Sequence, residues 1–148
     1  MSTIWTAGEV LIDLIPKERG STDRDPVVGG GPANTAKALA RLGFDSYFLD
    51  GISIDQYGAQ CRAELVESKV NLTYAPTIDK PTALAIVSLS PEGSASYEFK
   101  LDNTATFDFD RSWLPDPKNP PAVLHVGTLG TLIEPGASVL YAWAQEVD

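Results

Sequence analysis

Gly29-Gly30-Gly31-Pro32-Ala33-Asn34 follows Val27-Val28 and leads straight into a run of small apolar residues. Pro32 suits the first turn of a helix, where its missing N–H is not needed, and Gly43 suits the C-terminal stop. Between them Ala33, Ala36, Leu39 and Ala40 recur at helical spacing, and their small size predicts close packing on a sheet. Glycines at the entry let a ligand approach the backbone, and the helix N-terminus presents free N–H groups. The run lacks the Lys-Ser/Thr of a P-loop and the spacing of a dinucleotide fingerprint, so it matches neither nucleotide motif. Taken alone, such a turn is as readily structural as ligand-binding.

Outward from that turn, strands and helices alternate. Upstream, Ile4 to Ile15 is apolar with Gly8, Glu9 and Asp13 embedded, which predicts one buried strand stopping at Pro16. Residues 17–26 are polar and form a loop or an exposed strand. Downstream, Tyr47 to Ile54 reads as the next strand. Asp55 can cap a helix on which Cys61, Leu65, Val66 and Val70 mark one face. Thr82 to Ser90 and Ser94 to Leu101 are strand-like and joined by a turn at Pro91-Glu92-Gly93. In the second run Tyr97, Phe99 and Leu101 alternate with Ser96, Glu98 and Lys100, the pattern of a half-exposed antiparallel strand. The first run is apolar on both sides, which predicts a hairpin covered on both faces. Pro-rich residues 115–121 read as a surface connection. Ala122 to Val126 is a short buried strand ending at Gly127, and Pro135 opens a helix with Val139, Leu140, Trp143 and Val147 on one face. The sum is an α/β core with an inserted hairpin.

Charge and cysteine content narrow the function. The 148 residues carry a net charge of −9. An acidic surface repels phosphate backbones and anionic lipid, so no nucleic acid and no membrane is expected as partner. No apolar run is long enough to span a bilayer, and the start, Met1-Ser2-Thr3-Ile4-Trp5, has no basic region of a signal peptide. The single cysteine, Cys61, excludes an internal disulfide and fits a reducing, cytoplasmic setting. One histidine and one cysteine make a protein-built zinc site an unfavourable reading.

The glycine turn with Thr35-Ala36 behind it, then Leu42-Gly43, Gly51, Asp55 and Gly58, resembles the N-terminal signature of the PfkB carbohydrate kinase family. Gly8-Glu9-Val10-Leu11-Ile12-Asp13 resembles that family's first strand. Lys80-Pro81-Thr82-Ala83-Leu84-Ala85 and Ser94 to Phe99 resemble its lid strands, and His125-Val126-Gly127-Thr128-Leu129 and Glu134-Pro135 follow in the family's order. Ser53 stands where the family usually has glycine. The resemblance implies a ribokinase-like three-layer α/β/α core with a small β lid, incomplete because the C-terminal half is absent. Residues 1–148 would form the N-terminal half of a ribokinase-like domain, with lid segments at about 17–28 and 79–104 inserted in it. Pro32 and the lid pattern lean toward the fructokinase-like branch.

What the resemblance implies for the site is a sugar pocket. Asp13 matches the aspartate that accepts hydrogen bonds from two sugar hydroxyls, a task for which an acceptor-only carboxylate is suited; its alternative is a solvated strand-end acid. Gly30, Gly31 and Asn34 match the sugar-binding turn, although Asn34 could instead bond its own helix. Tyr97 and Phe99 could close over the sugar or simply pack on their strand. On one continuous strand Glu9 and Asp13 would be about 13 Å apart, too far for an acid/base dyad, which leaves Glu9 structural or solvated. His125 reads as a satisfied strand-end histidine rather than a catalytic one. Small-molecule sugar and a homodimer through the lid are the expected partners.

Members of this family run to about twice this length. Their second half carries a Gly-Ala-Gly-Asp-like motif with the catalytic base, an anion hole and the nucleotide pocket. That motif does not occur here. The resemblance therefore implies no catalytic residue within these residues, with ATP and Mg²⁺ as cofactors of the complete enzyme and the chain itself not catalytic. The rival expectations are a non-catalytic sugar-binding or dimerisation module and a non-functional truncation.

Overall fold

The computed structural model describes residues 2–147. Met1, the first residue of the start read for a signal-peptide region, and Asp148 lie outside them. A parallel sheet of three strands forms the centre, in the order β4 (Asp45–Leu49), β1 (Thr3–Ala7) and β9 (Val123–Val126). Helix α1 (Gly31–Arg41) covers one face, where Ala33, Ala36 and Ala40 meet Phe48; helix α2 (Gln56–Glu67) joins the same cluster through Cys61 and Leu65. Helix α3 (Gly136–Ala144) covers the other face, with Leu140 and Trp143 against Trp5, Ala7 and Leu49. Trp143 stacks on Trp5 at 5.8 Å and donates from Nε1 to the Pro115 carbonyl at 3.0 Å, which draws the Pro-rich connection onto the core. The three layers are those the resemblance implied.

A second sheet of four strands has the order β3 (Arg24–Gly29), β2 (Leu11–Pro16), β7 (Leu84–Leu89) and β8 (Ala95–Lys100). It is antiparallel except where β2 runs parallel to β7. A short pair, β5 (Ile52–Ser53) and β6 (Thr77–Ile78), lies parallel beside the core.

Helix α1 begins and ends where its punctuation demands. Pro32 occupies its first turn. Its C-terminus closes with Gly43 at φ 92°, the Gly43 N–H donating to Ala40 and the Phe44 N–H to Leu39. Asp55 caps α2 by accepting from the Gly58 N–H at 2.7 Å, and its carboxylate also takes the Thr82 N–H at 2.8 Å. Burial alone would raise the Asp55 pKa, but the bonds from Thr82 and Gly58 outweigh it and hold it below the usual value.

Several sequence expectations need correction. The apolar stretch Ile4 to Ile15 is two strands in two different sheets, because the chain turns at Gly8, where φ is 143°. Tyr47 to Ile54 likewise breaks at Asp50-Gly51, where the Asp50 carboxylate folds inward. Strand β8 is exposed at every residue rather than on one face, and the hairpin is not covered on both faces: only Ala85 and Val87 of β7 are fully buried. Val66 points to solvent at the end of α2. Strand β9 is half-exposed rather than buried, since among the described residues it pairs with β1 alone. Among the described residues no helix is long and apolar enough to cross a membrane.

Candidate functional site

The carboxyl ends of β1 and β9 meet the start of α1, the place where open α/β sheets leave a crevice for ligands. Glycines make that meeting possible. A Cβ on Gly8 would land on the Gly127 carbonyl and on the Pro32 ring. One on Gly30, whose φ is 102°, would come within 2.5 Å of the Glu9 carbonyl oxygen, and one on Gly31 within 2.7 Å of Thr128 Oγ1. Both glycines are thus required by the protein's own packing.

Glu9 is fastened into this junction with only 2% exposure. Its carboxylate accepts three hydrogen bonds: from Thr128 N at 2.8 Å, Thr128 Oγ1 at 2.5 Å and Gly130 N at 3.0 Å. Burial pushes its carboxyl upward, but those bonds from Thr128 and Gly130 outweigh it and hold it below the ordinary range. Of the two roles the sequence left open, Glu9 takes the structural one.

Next along the chain, the Val10 N–H donates to Thr106 Oγ1 at 2.9 Å, and the Thr106 hydroxyl donates to Asp50. Asp50 is buried and also accepts from the Gly51 N–H at 2.7 Å. Burial raises its carboxyl well above the usual carboxylate range, with the bonds from Thr106 and Gly51 only partly offsetting it and the charge of Glu9 adding to it. The passage from the central sheet to the second sheet is therefore held by a carboxylate on each side.

Register brings three of the sequence-predicted residues onto one face of the second sheet. Asp13 pairs with Ala85 and Ala85 with Phe99, while Val87 and Tyr97 form the row two residues away. Paired residues point the same way, so Asp13, Phe99 and Tyr97 share a face. The Tyr97 and Phe99 rings stack at 6.0 Å with 12° between planes and remain 58% and 48% exposed. Asp13 is half-buried, and burial raises its carboxyl above its usual value. Among the described residues no donor is hydrogen-bonded to it. Its Oδ2 occupies the space a Cβ on Gly29 would need, so the first glycine of the run is explained by Asp13.

Asn34 stands in the first turn of α1, exposed, its backbone N–H bonded to the Gly30 carbonyl at 2.9 Å. Its side chain does not cap the helix, which has no side-chain cap. His125 lies half-buried on β9 beside Gly127, and among the described residues its ring has no hydrogen bond, unlike the satisfied histidine expected. A cleft of about 490 Å³ is lined by Thr82, Leu84, Phe99, Lys100, Asp102 and Ile133, and only Phe99 of the predicted residues reaches it. Sequence reading did not single out Asp50, Thr106 or Thr128. Asp50 carries a weak signal, an acid closing an apolar strand before glycine; Thr128 lies within the His125-to-Leu129 motif, and Thr106 carries none.

The sequence profile described as pfkB family carbohydrate kinase matches residues 1–132. The fructokinase of Klebsiella pneumoniae is 31% identical over 141 residues, which is 94% of this chain and 45% of that protein. Among solved structures, a fructokinase from Xylella fastidiosa with bound ATP superposes with a TM-score of 0.87 at 26% identity, covering 99% of this chain and 48% of that one. A fructokinase from Vibrio cholerae O395, in a form with fructose, ADP and calcium ion bound, gives a TM-score of 0.82 at 25% identity, covering 99% of this chain and 47% of that one. The chain spans about half the length of the curated relatives it matches.

Proposed function

The chain belongs to the pfkB family of carbohydrate kinases, and from that premise we propose that it is the sugar-binding half of an ATP-dependent sugar kinase, with fructose or a related ketose as substrate. The observation that carries this reading is the state of Asp13: a half-buried carboxylate, without a hydrogen-bond donor among the described residues, on the sheet face that also holds Tyr97 and Phe99. A carboxylate that only accepts is suited to two adjacent hydroxyls. The stacked aromatic pair offers an apolar surface to the C–H face of a sugar. Asn34, uncommitted at the head of α1, supplies both a donor and an acceptor, and the Gly30-Gly31 backbone brings the main chain close. In this reading the four-stranded sheet is the lid.

ATP and Mg²⁺ are the cofactors we propose for the complete enzyme. Among the described residues no three His, Cys, Asp or Glu side chains gather as cation ligands, and the glycine turn is closed by Glu9 and Thr128. No step of phosphoryl transfer is therefore assigned to these residues; their part is to bind and orient the accepting hydroxyl. Strand β8 is exposed throughout and has one edge unpaired among the described residues, which suits it to pair with a second copy. A cytoplasmic setting accords with Cys61, a buried thiol whose pKa burial pushes up to about 12.

In the intact protein Asp13→Asn tests this reading. Loss of a charge-assisted bond to a buried hydroxyl is expected to raise the fructose KM roughly ten- to a hundredfold, with the ATP KM little changed. Unchanged fructose KM and kcat in the variant would remove Asp13 from the site.

A further inference from the structure

The structure assigns Glu9 as a positioning residue of the sugar site: its carboxylate, bonded to Thr128 and Gly130, holds the Gly29-Gly30-Gly31 turn against the strand that carries Asp13. This rests on the sugar-binding reading above and adds a residue to it that never touches the sugar.

The contacts close a ring. Glu9 fixes Thr128 through both its N–H and its hydroxyl. Thr128 Oγ1 in turn lies where only a glycine fits, at Gly31, and the Glu9 carbonyl lies where only a glycine fits, at Gly30. The preceding residue, Gly29, carries the Asp13 carboxylate on its Cα. Asp13 returns along β2 to Glu9, four residues upstream. Movement of any member alters the spacing between the Asp13 carboxylate and the head of α1, where Asn34 stands. The second tether, Val10 to Thr106 to Asp50, fixes the next peptide, while the Glu9 clamp ties the junction to the turn after β9.

A buried carboxylate with three donors also contributes stability, so the test must separate local positioning from global loosening. Hydrogen exchange on the intact protein does this. In Glu9→Ala, exchange over residues 27–36 is expected to quicken about tenfold or more while α3 (136–144) keeps its wild-type rate, and the Kd for D-fructose is expected to rise by about tenfold. Glu9→Gln should restore much of both, because one amide oxygen can still accept from the Thr128 and Gly130 N–H groups while its NH₂ donates to the Thr128 hydroxyl. Should Glu9→Ala not fold, Thr128→Val removes only the hydroxyl and should show the same regional contrast at smaller size. Exchange that rises equally in 27–36 and 136–144, or rises in neither, overturns the inference. So does an unchanged fructose Kd in Glu9→Ala alongside a weakened one in Asp13→Asn. If the wild-type protein binds no fructose, the sugar reading fails, and the exchange contrast alone decides whether Glu9 holds the turn.

Discussion

A polypeptide of these 148 residues, supplied with ATP, Mg²⁺ and D-fructose, is expected to form no fructose phosphate. Phosphoryl transfer depends almost wholly on positioning and on charge stabilisation around the moving phosphoryl group. Two of the obvious anionic candidates for a base are engaged: Glu9 accepts three hydrogen bonds, and Asp50 is buried beneath Thr106. Asp13 is free, but the proposed site uses it to bind hydroxyls. The glycine turn resembles a phosphate cradle only in composition, since Glu9 and Thr128 close it from inside. On the proposed reading the base and the anion hole lie outside these residues, and since removing a single oxyanion donor from an enzyme already costs about 10²–10³ in kcat, turnover should fall to background. A coupled ADP assay reads this directly. ADP formation that tracks the purified chain and disappears in Asp13→Ala would mean that the chain performs the chemistry itself.

Gly8→Val is expected to abolish the cooperative fold. With φ at 143°, Gly8 holds a backbone that side-chain-bearing residues rarely adopt, and the added Cβ would land on the Gly127 carbonyl. Backbone opposes it there, so no rotamer change relieves the clash, and relief must come from parting β1 from the turn after β9. The same movement would pull Glu9 from Thr128 and Gly130. A cost beyond about 4 kcal/mol belongs to the largest single-substitution effects and would consume much of a marginal domain's stability. Gly43→Ala supplies the contrast: φ is 92° but nothing lies within 4 Å of the new Cβ, so only the backbone cost of about 1 kcal/mol applies. Thermal melts by circular dichroism distinguish the two. A Gly8→Val protein that melts cooperatively near the wild-type temperature would contradict the account of the junction.

The helices were legible because their signals are local. Pro32, Gly43 and the alanine spacing specify α1, and Asp55 specifies the start of α2, without reference to the rest of the chain. The strand breaks were not legible for the opposite reason. Ile4 to Ile15 is apolar throughout because both its halves are buried, in different sheets, and the turn between them is specified by partners more than ninety residues away, Thr106 and Thr128. The exposure of β8 was hidden as well: alternation in Tyr97, Phe99 and Leu101 foretells a covered face, but the sheet leaves that face open beyond Leu101. Asp13 and the glycine run were found through motif order. Their physical connection, a carboxylate resting on Gly29, appears only when β2 and β3 are paired. For Glu9 the sequence leaves a structural and a solvated role open, since a straight strand gives no hint of the three donors that reach it from the far end of the sequence.

The central claim is that Asp13, the glycine turn and the aromatic pair form one sugar site, and hydrogen exchange of the intact protein with and without saturating D-fructose tests it most directly. The account predicts slowed exchange in the segments covering 11–16, 29–36 and 95–101, with 136–144 unaffected. Saturating fructose that leaves those three segments unchanged, or that protects only residues outside them, would contradict it.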